Sequence, residues 1–454
     1  MKLLNTQLIK IILEWEFKQH KCKYIKSEFN RVKISKNNPT AFISFAGAAA
    51  FITYCSMYAF RKPFAAATFE GLTVAGFDYK IILIISQAIG YTLSKFLGIR
   101  FVSELEPEKR IKVLLVLIGI SWLALFLFAL IPYPYNFWLL FFSGLPLGFI
   151  WGIVFSFLEG RRFTEVLGAI MASSFIFASG IVKAAGRFLI DYLDITEFWM
   201  PFFTGFLFLP FLFLGIYMLQ KIPAQDKEDR ALRTERRPMN KRERKNFFFF
   251  FAPGIIFSIV IYVALTVFRD IRDNFAVELW NSLGFRNTPK LLALSEIPIA
   301  IAVLVIIGLM MLIKNNKIAF FTNQFIFLAS GTLLLVVSIL FLENKISALM
   351  WMIVIGFSMY LPYISFHVML YERWIALFKY KSNIGYLMYV SDAFGYLGST
   401  CILFLKGSKN IQLSWSNFFI YTGIFVGALI IIFSLFSVLY FNRKTKENIG
   451  ITIV

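Results

Sequence analysis

Twelve apolar stretches, each long enough to cross a bilayer, take up most of this sequence. They lie near residues 41–69, 79–101, 111–132, 134–158, 166–190 and 199–220, and then near 247–271, 289–313, 317–342, 346–371, 382–405 and 415–441. A hydrocarbon core of about 30 Å takes about 20 apolar residues as a helix. In lipid, only helices and closed barrels satisfy their own backbone polar groups. The expected fold class is therefore an all-α membrane protein with twelve transmembrane helices. A chain of 454 residues that is 59% hydrophobic and only 16% charged is not a soluble globular protein. The connections are short and carry turn or charge signals: Pro107, Pro132 and Pro134, Gly160, Asn315-Asn316 and Gly407.

A formal net charge of +20 invites a nucleic-acid reading, but the position of the charges argues against one. With residues near span ends assigned to the nearer side, 33 of the 46 Lys and Arg fall on the side of the N-terminus and 11 on the other. The remaining two, Lys95 and Lys183, lie inside spans. This is the positive-inside pattern. It predicts cytoplasmic termini in a multi-pass protein of the cell inner (cytoplasmic) membrane. Residues 221–245 hold ten Lys/Arg against five Asp/Glu with no apolar run, and they read as a basic cytoplasmic linker. The linker separates a six-helix bundle over 40–220 from a second over 246–442, followed by a cytoplasmic tail at 443–454. Residues 1–39 carry nine Lys/Arg and no small-residue cleavage site, so they are not a signal peptide. They read as a cytoplasmic basic extension, either an interfacial amphipathic helix or a disordered tail.

The two halves echo each other. The first span contains Tyr54-Cys55-Ser56-Met57-Tyr58-Ala59-Phe60-Arg61-Lys62-Pro63-Phe64. The seventh ends in Tyr262-Val263-Ala264-Leu265-Thr266-Val267-Phe268-Arg269, with the Tyr, Phe and Arg at the same offsets. Ser86-Gln87 and Ser295-Glu296 follow the two arginines at nearly equal distances. A cation inside a bilayer costs several kcal/mol unless it has a partner, a cavity or the interface. Arg61 and Arg269 thus offer paired charges to an anion, whereas snorkelling or, for Arg269, a surface cluster with Asp270, Arg272 and Asp273 is the structural alternative. Arg272 is the competing candidate if the site lies there. Lys95 is a further candidate, and Tyr54, Tyr58, Tyr262 and Tyr360 are candidate cavity hydroxyls. Asp392 in the eleventh span needs a proton or a partner, and Lys183 in the fifth is one possible partner. His367 reads as a satisfied polar residue. The cysteines Cys22, Cys55 and Cys401 are scattered, and no Cys/His cluster has metal-ligand spacing. No cofactor, no metal and no enzyme activity is expected.

A six-plus-six chain with a basic central loop has the architecture of the major facilitator superfamily, two pseudo-symmetric bundles around a site near the midplane. At residue level the chain resembles the organophosphate:phosphate antiporter branch, which holds the glycerol-3-phosphate and hexose-phosphate transporters. The resemblance rests on Tyr58-Ala59-Phe60-Arg61-Lys62-Pro63-Phe64, on Ser94-Lys95-Phe96, on Arg269, and on Glu296 shortly before a proline. Gly356-Phe357-Ser358-Met359-Tyr360-Leu361-Pro362 followed by Glu372, and Phe394-Gly395-Tyr396-Leu397-Gly398-Ser399, add matches in the tenth and eleventh spans. It implies that Arg61 and Arg269 grip a phosphoryl group, that Lys95 assists, and that Lys62 pairs with Glu296 at the outer gate. Arginine suits the task because its planar fork makes two parallel charge-assisted bonds to phosphate oxygens. Phe177 stands where the family has a binding-site histidine, and Lys183 and Asp392 have no counterpart. The expected function is alternating-access exchange of an organic phosphate, or similar small anion, for inorganic phosphate by a monomer in the lipid bilayer. Proton-coupled symport of a carboxylate or other small solute, and a transporter-like receptor for a sugar phosphate, are the alternatives.

Overall fold

In the computed structural model the described residues are 39–103, 105–159, 161, 163–223, 241–286, 288–378, 384–407 and 414–451. The basic N-terminal extension, most of the central linker and the last residues of the tail lie outside them.

Each apolar run closes its own hydrogen bonds as a helix, as lipid requires. The first half contains α1 (Pro39–Arg61), α2 (Tyr79–Ser103), α3 (Arg110–Leu130), α4 (Phe137–Phe155), α5 (Thr164–Leu193) and α6 (Met200–Lys221). Between α1 and α2 lie a short 3-10 turn, Pro63–Ala66, and a two-stranded antiparallel hairpin of β1 (Thr73–Val74) and β2 (Phe77–Asp78). The second half opens with α7 (Lys241–Asn274), followed by the short α8 (Ala276–Ser282). The eighth span is split into α9 (Pro289–Leu294) and α10 (Glu296–Met311). Pro298 has no N–H to give the carbonyl of Leu294, which accounts for the break at Ser295. Then come α11 (Asn316–Leu342), α12 (Ala348–Ser365), a single π turn at Phe366–Leu370, α13 (Tyr371–Phe378), α14 (Ile384–Gly407) and α15 (Trp415–Ile451).

Among the described residues, eleven spans are long and apolar enough to cross a membrane, with α9–α10 and α12–α13 each counting as one. The twelfth position belongs to α14, whose 24 residues reach about 36 Å at 1.5 Å per residue. Two helices run further than the spans read from sequence. α7 starts inside the expected linker, and α15 continues through residues expected as tail.

Helices approach closely where side chains are smallest. On α4, a Cβ at Gly148 would fall 1.6 Å from Ser94 Oγ of α2, and one on Gly90 of α2 would fall 2.3 Å from the carbonyl oxygen of Phe141. The buried apolar residues form two clusters, one per half, and each borrows from the other. Ala169, Ala172 and Ile176 of α5 join the second core, while Phe275, Tyr396 and Leu403 join the first. The halves meet along α5 against α9 and α10, and along α2 against α14. Large apolar side chains such as Leu93, Leu97, Phe206, Phe211, Leu309 and Phe325 face outward, forming the lipid-facing surface. The bundle end holding the β1–β2 hairpin is the hairpin side; the end where α1 begins and α15 finishes is the terminal side.

Candidate functional site

Two small adjoining cavities lie between the halves. The first, of about 20 Å³, is lined by Arg61, Lys62, Gln87, Tyr91, Asp270, Asn274, Tyr396 and Ser399 among others. The second, of about 10 Å³, is lined by Tyr58, Arg61, Lys62, Phe175, Arg269, Asp270, Asp273 and Tyr360. Such volumes hold about one water apiece, so this conformation is closed around the centre. Three cations and two carboxylates line the pair of cavities, an excess of one positive charge.

Arg61 ends α1 at this junction. Its guanidinium lies 3.8 Å from the centre of the Tyr91 ring and donates to Tyr396 Oη at 3.3 Å. Among the described residues no carboxylate comes within ion-pair range of it. Gln87, also buried, lines the same cavity with its Nε2 donor unpartnered. Arg269 faces the second cavity, but it is paired with Asp270 at 2.7 Å and lies over the Tyr363 ring at 4.2 Å. Tyr58 and Tyr360 line the second cavity. Tyr54 packs behind Tyr58 and Phe175, and Tyr262 belongs to a separate cluster.

The expected charge pairs form differently. Lys62 does not meet Glu296: it lies 3.0 Å from Asp273 and donates to Asn274 Oδ1 at 2.7 Å. Glu296 instead takes Arg272, at 2.6 Å. Lys183 does not reach Asp392: it lies 3.0 Å from Asp273 Oδ1 and also donates to that residue's carbonyl at 2.8 Å. Asp273 additionally accepts from Ser179. One carboxylate of α7 thus gathers two lysines and a hydroxyl from the other half. The reason is helical register: Asp273 is one turn beyond Arg269 and faces the partner bundle, whereas Glu296 begins α10 beside Arg272 of its own bundle. At the hairpin-side edge, Lys80 of α2 and Glu278 of α8 pair at 2.5 Å. Burial raises the Glu278 carboxyl above the ordinary carboxylate range, and Lys80 opposes that shift.

A second polar cluster lies toward the terminal side. Asp392 Oδ1 accepts from Tyr262 and lies 3.7 Å from His367 Nε2, while Oδ2 lies 3.8 Å from Lys95 Nζ. His367 sits in the π turn, a backbone irregularity that recurs at functional sites. Lys95 lies 5.2 Å from the Tyr91 ring centre, so the cluster adjoins the first cavity through a shared aromatic wall. Reading by sequence passed over Tyr91 and Tyr363 as cation platforms, Tyr396 as the hydroxyl that accepts from Arg61, and Asp273 as the cross-bundle acceptor. The spacing of Asp273 from Arg269 was the available signal for the last.

A family model, Family of unknown function (DUF5690), matches residues 63–444. No curated protein matches the sequence. Among solved structures, the crystal structure of a D-xylose-proton symporter is similar, with a TM-score of 0.58 and 14% identity, covering 87% of this chain and 96% of that one. At this identity the likeness concerns fold. The fold is the all-α major facilitator arrangement of two pseudo-symmetric six-helix bundles, as read from the sequence.

Proposed function

The chain belongs to the DUF5690 family, a family of unknown function, and we propose that it is a secondary transporter. It works by alternating access and exchanges an organic phosphate or similar small anion for inorganic phosphate. One observation carries the reading: Arg61 is buried between the two bundles, its polar partner is a tyrosine hydroxyl, and no carboxylate among the described residues neutralises it. A guanidinium in that position is expensive unless an anion arrives. Gln87 Nε2 supplies a second unused donor beside it. Arg269 completes the grip once Asp270 is displaced, so anion binding draws one arginine from each bundle toward a single ligand. Because such a ligand bridges the halves, it favours the closed intermediate through which both open states pass.

The test is inorganic phosphate counterflow in proteoliposomes with wild type, Arg61→Lys and Arg269→Lys. A hydrogen bond to a charged group contributes about 1.5–3 kcal/mol, so loss of the fork in either variant is expected to cut exchange at least tenfold. Wild-type protein that folds but exchanges neither phosphate nor phosphate esters would sink the reading. A second reading, proton-coupled symport, is favoured by the Asp392–His367–Lys95 cluster, since a carboxylate and an imidazole 3.7 Å apart in one bundle, facing a lysine of the other, suit proton uptake.

A further inference from the structure

We infer that His367 is the proton-binding residue of this carrier, and that protonation transfers Asp392 from Lys95 of the first bundle to His367 of its own bundle, releasing a terminal-side latch. The inference rests on the alternating-access reading above, but not on the identity of the solute.

Hydrogen counting at the imidazole carries the argument. Nδ1 lies 3.0 Å from the backbone carbonyl of Tyr363. A carbonyl only accepts, so Nδ1 holds a hydrogen in either charge state. Nε2 lies 3.3 Å from Tyr262 Oη, whose single hydrogen is directed to Asp392 Oδ1. Tyr363 Oη, 3.3 Å from Tyr262 Oη, is a third neighbour but has a hydrogen of its own to give, whereas Nε2 and the carboxylate have none and compete for one hydroxyl hydrogen. A proton on Nε2 removes the conflict: the imidazolium donates to the Tyr262 oxygen, Tyr262 keeps its bond to Asp392, and the positive ring faces Oδ1 at 3.7 Å. The site is completed by the proton.

The consequence for the bundles follows from which residue belongs to which half. Tyr262, Tyr363, His367 and Asp392 all belong to the second bundle. Lys95, 3.8 Å from Asp392 Oδ2, belongs to the first, so this contact of the cluster crosses between the bundles. The other titratable or charged groups facing the pair among the described residues are Tyr91 from α2, Tyr371 from α13 and, behind Tyr363, Arg269 from α7. Phe175 of α5 presents only a ring edge to His367. With His367 neutral, the Asp392 charge is answered from across the interface, and the terminal side is held. With His367 protonated, the charge is answered at home, the attraction for Lys95 weakens, and that side is freed to part.

The test is the inter-bundle distance by pulsed EPR on the full chain in liposomes. Spin labels go on Leu97→Cys of α2 and Ala376→Cys of α13, both exposed, with Cys22, Cys55 and Cys401 replaced by serine. Spectra are compared at pH values on either side of the ordinary histidine range, about 5.5 and 8. The expected result is a longer mean distance at the acid value in wild type, no pH response in His367→Gln, and a long distance at both values in Lys95→Gln. A wild-type distance that ignores pH, or a pH response that survives in His367→Gln, overturns the latch. Lys95→Gln guards against a His367 variant that fails to fold, because a short distance in that variant also overturns it. Phosphate counterflow is measured on the same preparations. Acid widening without any counterflow sinks the phosphate reading alone, whereas counterflow with a pH-indifferent distance sinks the latch alone.

Discussion

At the scale of single residues, the polar groups that matter are those whose partners are incomplete. Gln87 buries an amide nitrogen that finds no acceptor among the described residues. Replacing both an unsatisfied group and its desolvation cost with an apolar side chain is neutral or stabilising. Gln87→Leu is thus expected to melt at or slightly above the wild-type temperature while raising the KM for phosphate counterflow about tenfold, as loss of one hydrogen bond to a charged ligand requires. A KM left unchanged would remove Gln87 from the site. Asp273 is the opposite case, a carboxylate answered by Lys62, Lys183 and Ser179 together. Breaking a buried pair by removing one partner costs about 3–5 kcal/mol. Asp273→Asn strands Lys62 and Lys183 together, so it should lower the thermal midpoint in detergent more than Lys183→Met does, because the latter leaves the Lys62 pair standing. Equal shifts for the two variants would show that Asp273 is not the shared acceptor. The residue types of this site were legible in the chain, since Arg61, Arg269, Lys95, Lys183 and Asp392 stand out against apolar surroundings. Their pairings were not, because Lys183 and Asp273 are 90 positions apart and nothing local to either names the other.

At the scale of elements, the halves touch through α5 packed on α9 and α10, and through α14 packed on α2. Gly180 of α5 makes the first contact possible: a Cβ there would fall 2.5 Å from the carbonyl oxygen of Leu292 and 2.7 Å from Glu296 Cγ. Backbone that close cannot yield to a side chain, so Gly180→Leu is expected to hold α5 away from α9 and α10. Cysteine labelling in the cavity from the hairpin side should then rise several-fold relative to wild type. Unchanged labelling would show that the contact persists in every state. The spans themselves were legible from hydropathy, whereas the break at Ser295 and the π turn at Phe366–Leu370 were not. Pro298 signals the first only once its register in the helix is known. No residue in Phe366–Leu370 forbids an ordinary α turn, and the irregular turn comes with packing against α5 and α11.

At the scale of the whole molecule, the two bundles have separate apolar cores that exchange few members, and many of the contacts between them are ionic or aromatic. Each half therefore contains most of what it needs to fold, with the interface serving as a switchable seam. Two chains divided within residues 224–240 and expressed together are expected to co-purify and to retain phosphate counterflow, whereas either half alone should show none. If the co-expressed halves fail to associate, the central linker holds the bundles together and the seam does not.

By itself the sequence determined that this chain lies in a membrane, that it crosses it twelve times in two related halves, and that a few charges are carried to a depth where they need a reason. Those properties are sums over neighbouring residues, and periodicity and hydropathy report them directly. Only the tertiary structure decided that Lys62 and Lys183 share Asp273, that Glu296 answers Arg272, and that Asp392 stands between Lys95 and His367. In a low-dielectric interior each buried charge must take the partner that geometry brings within reach, and that geometry exists only after distant helices have packed.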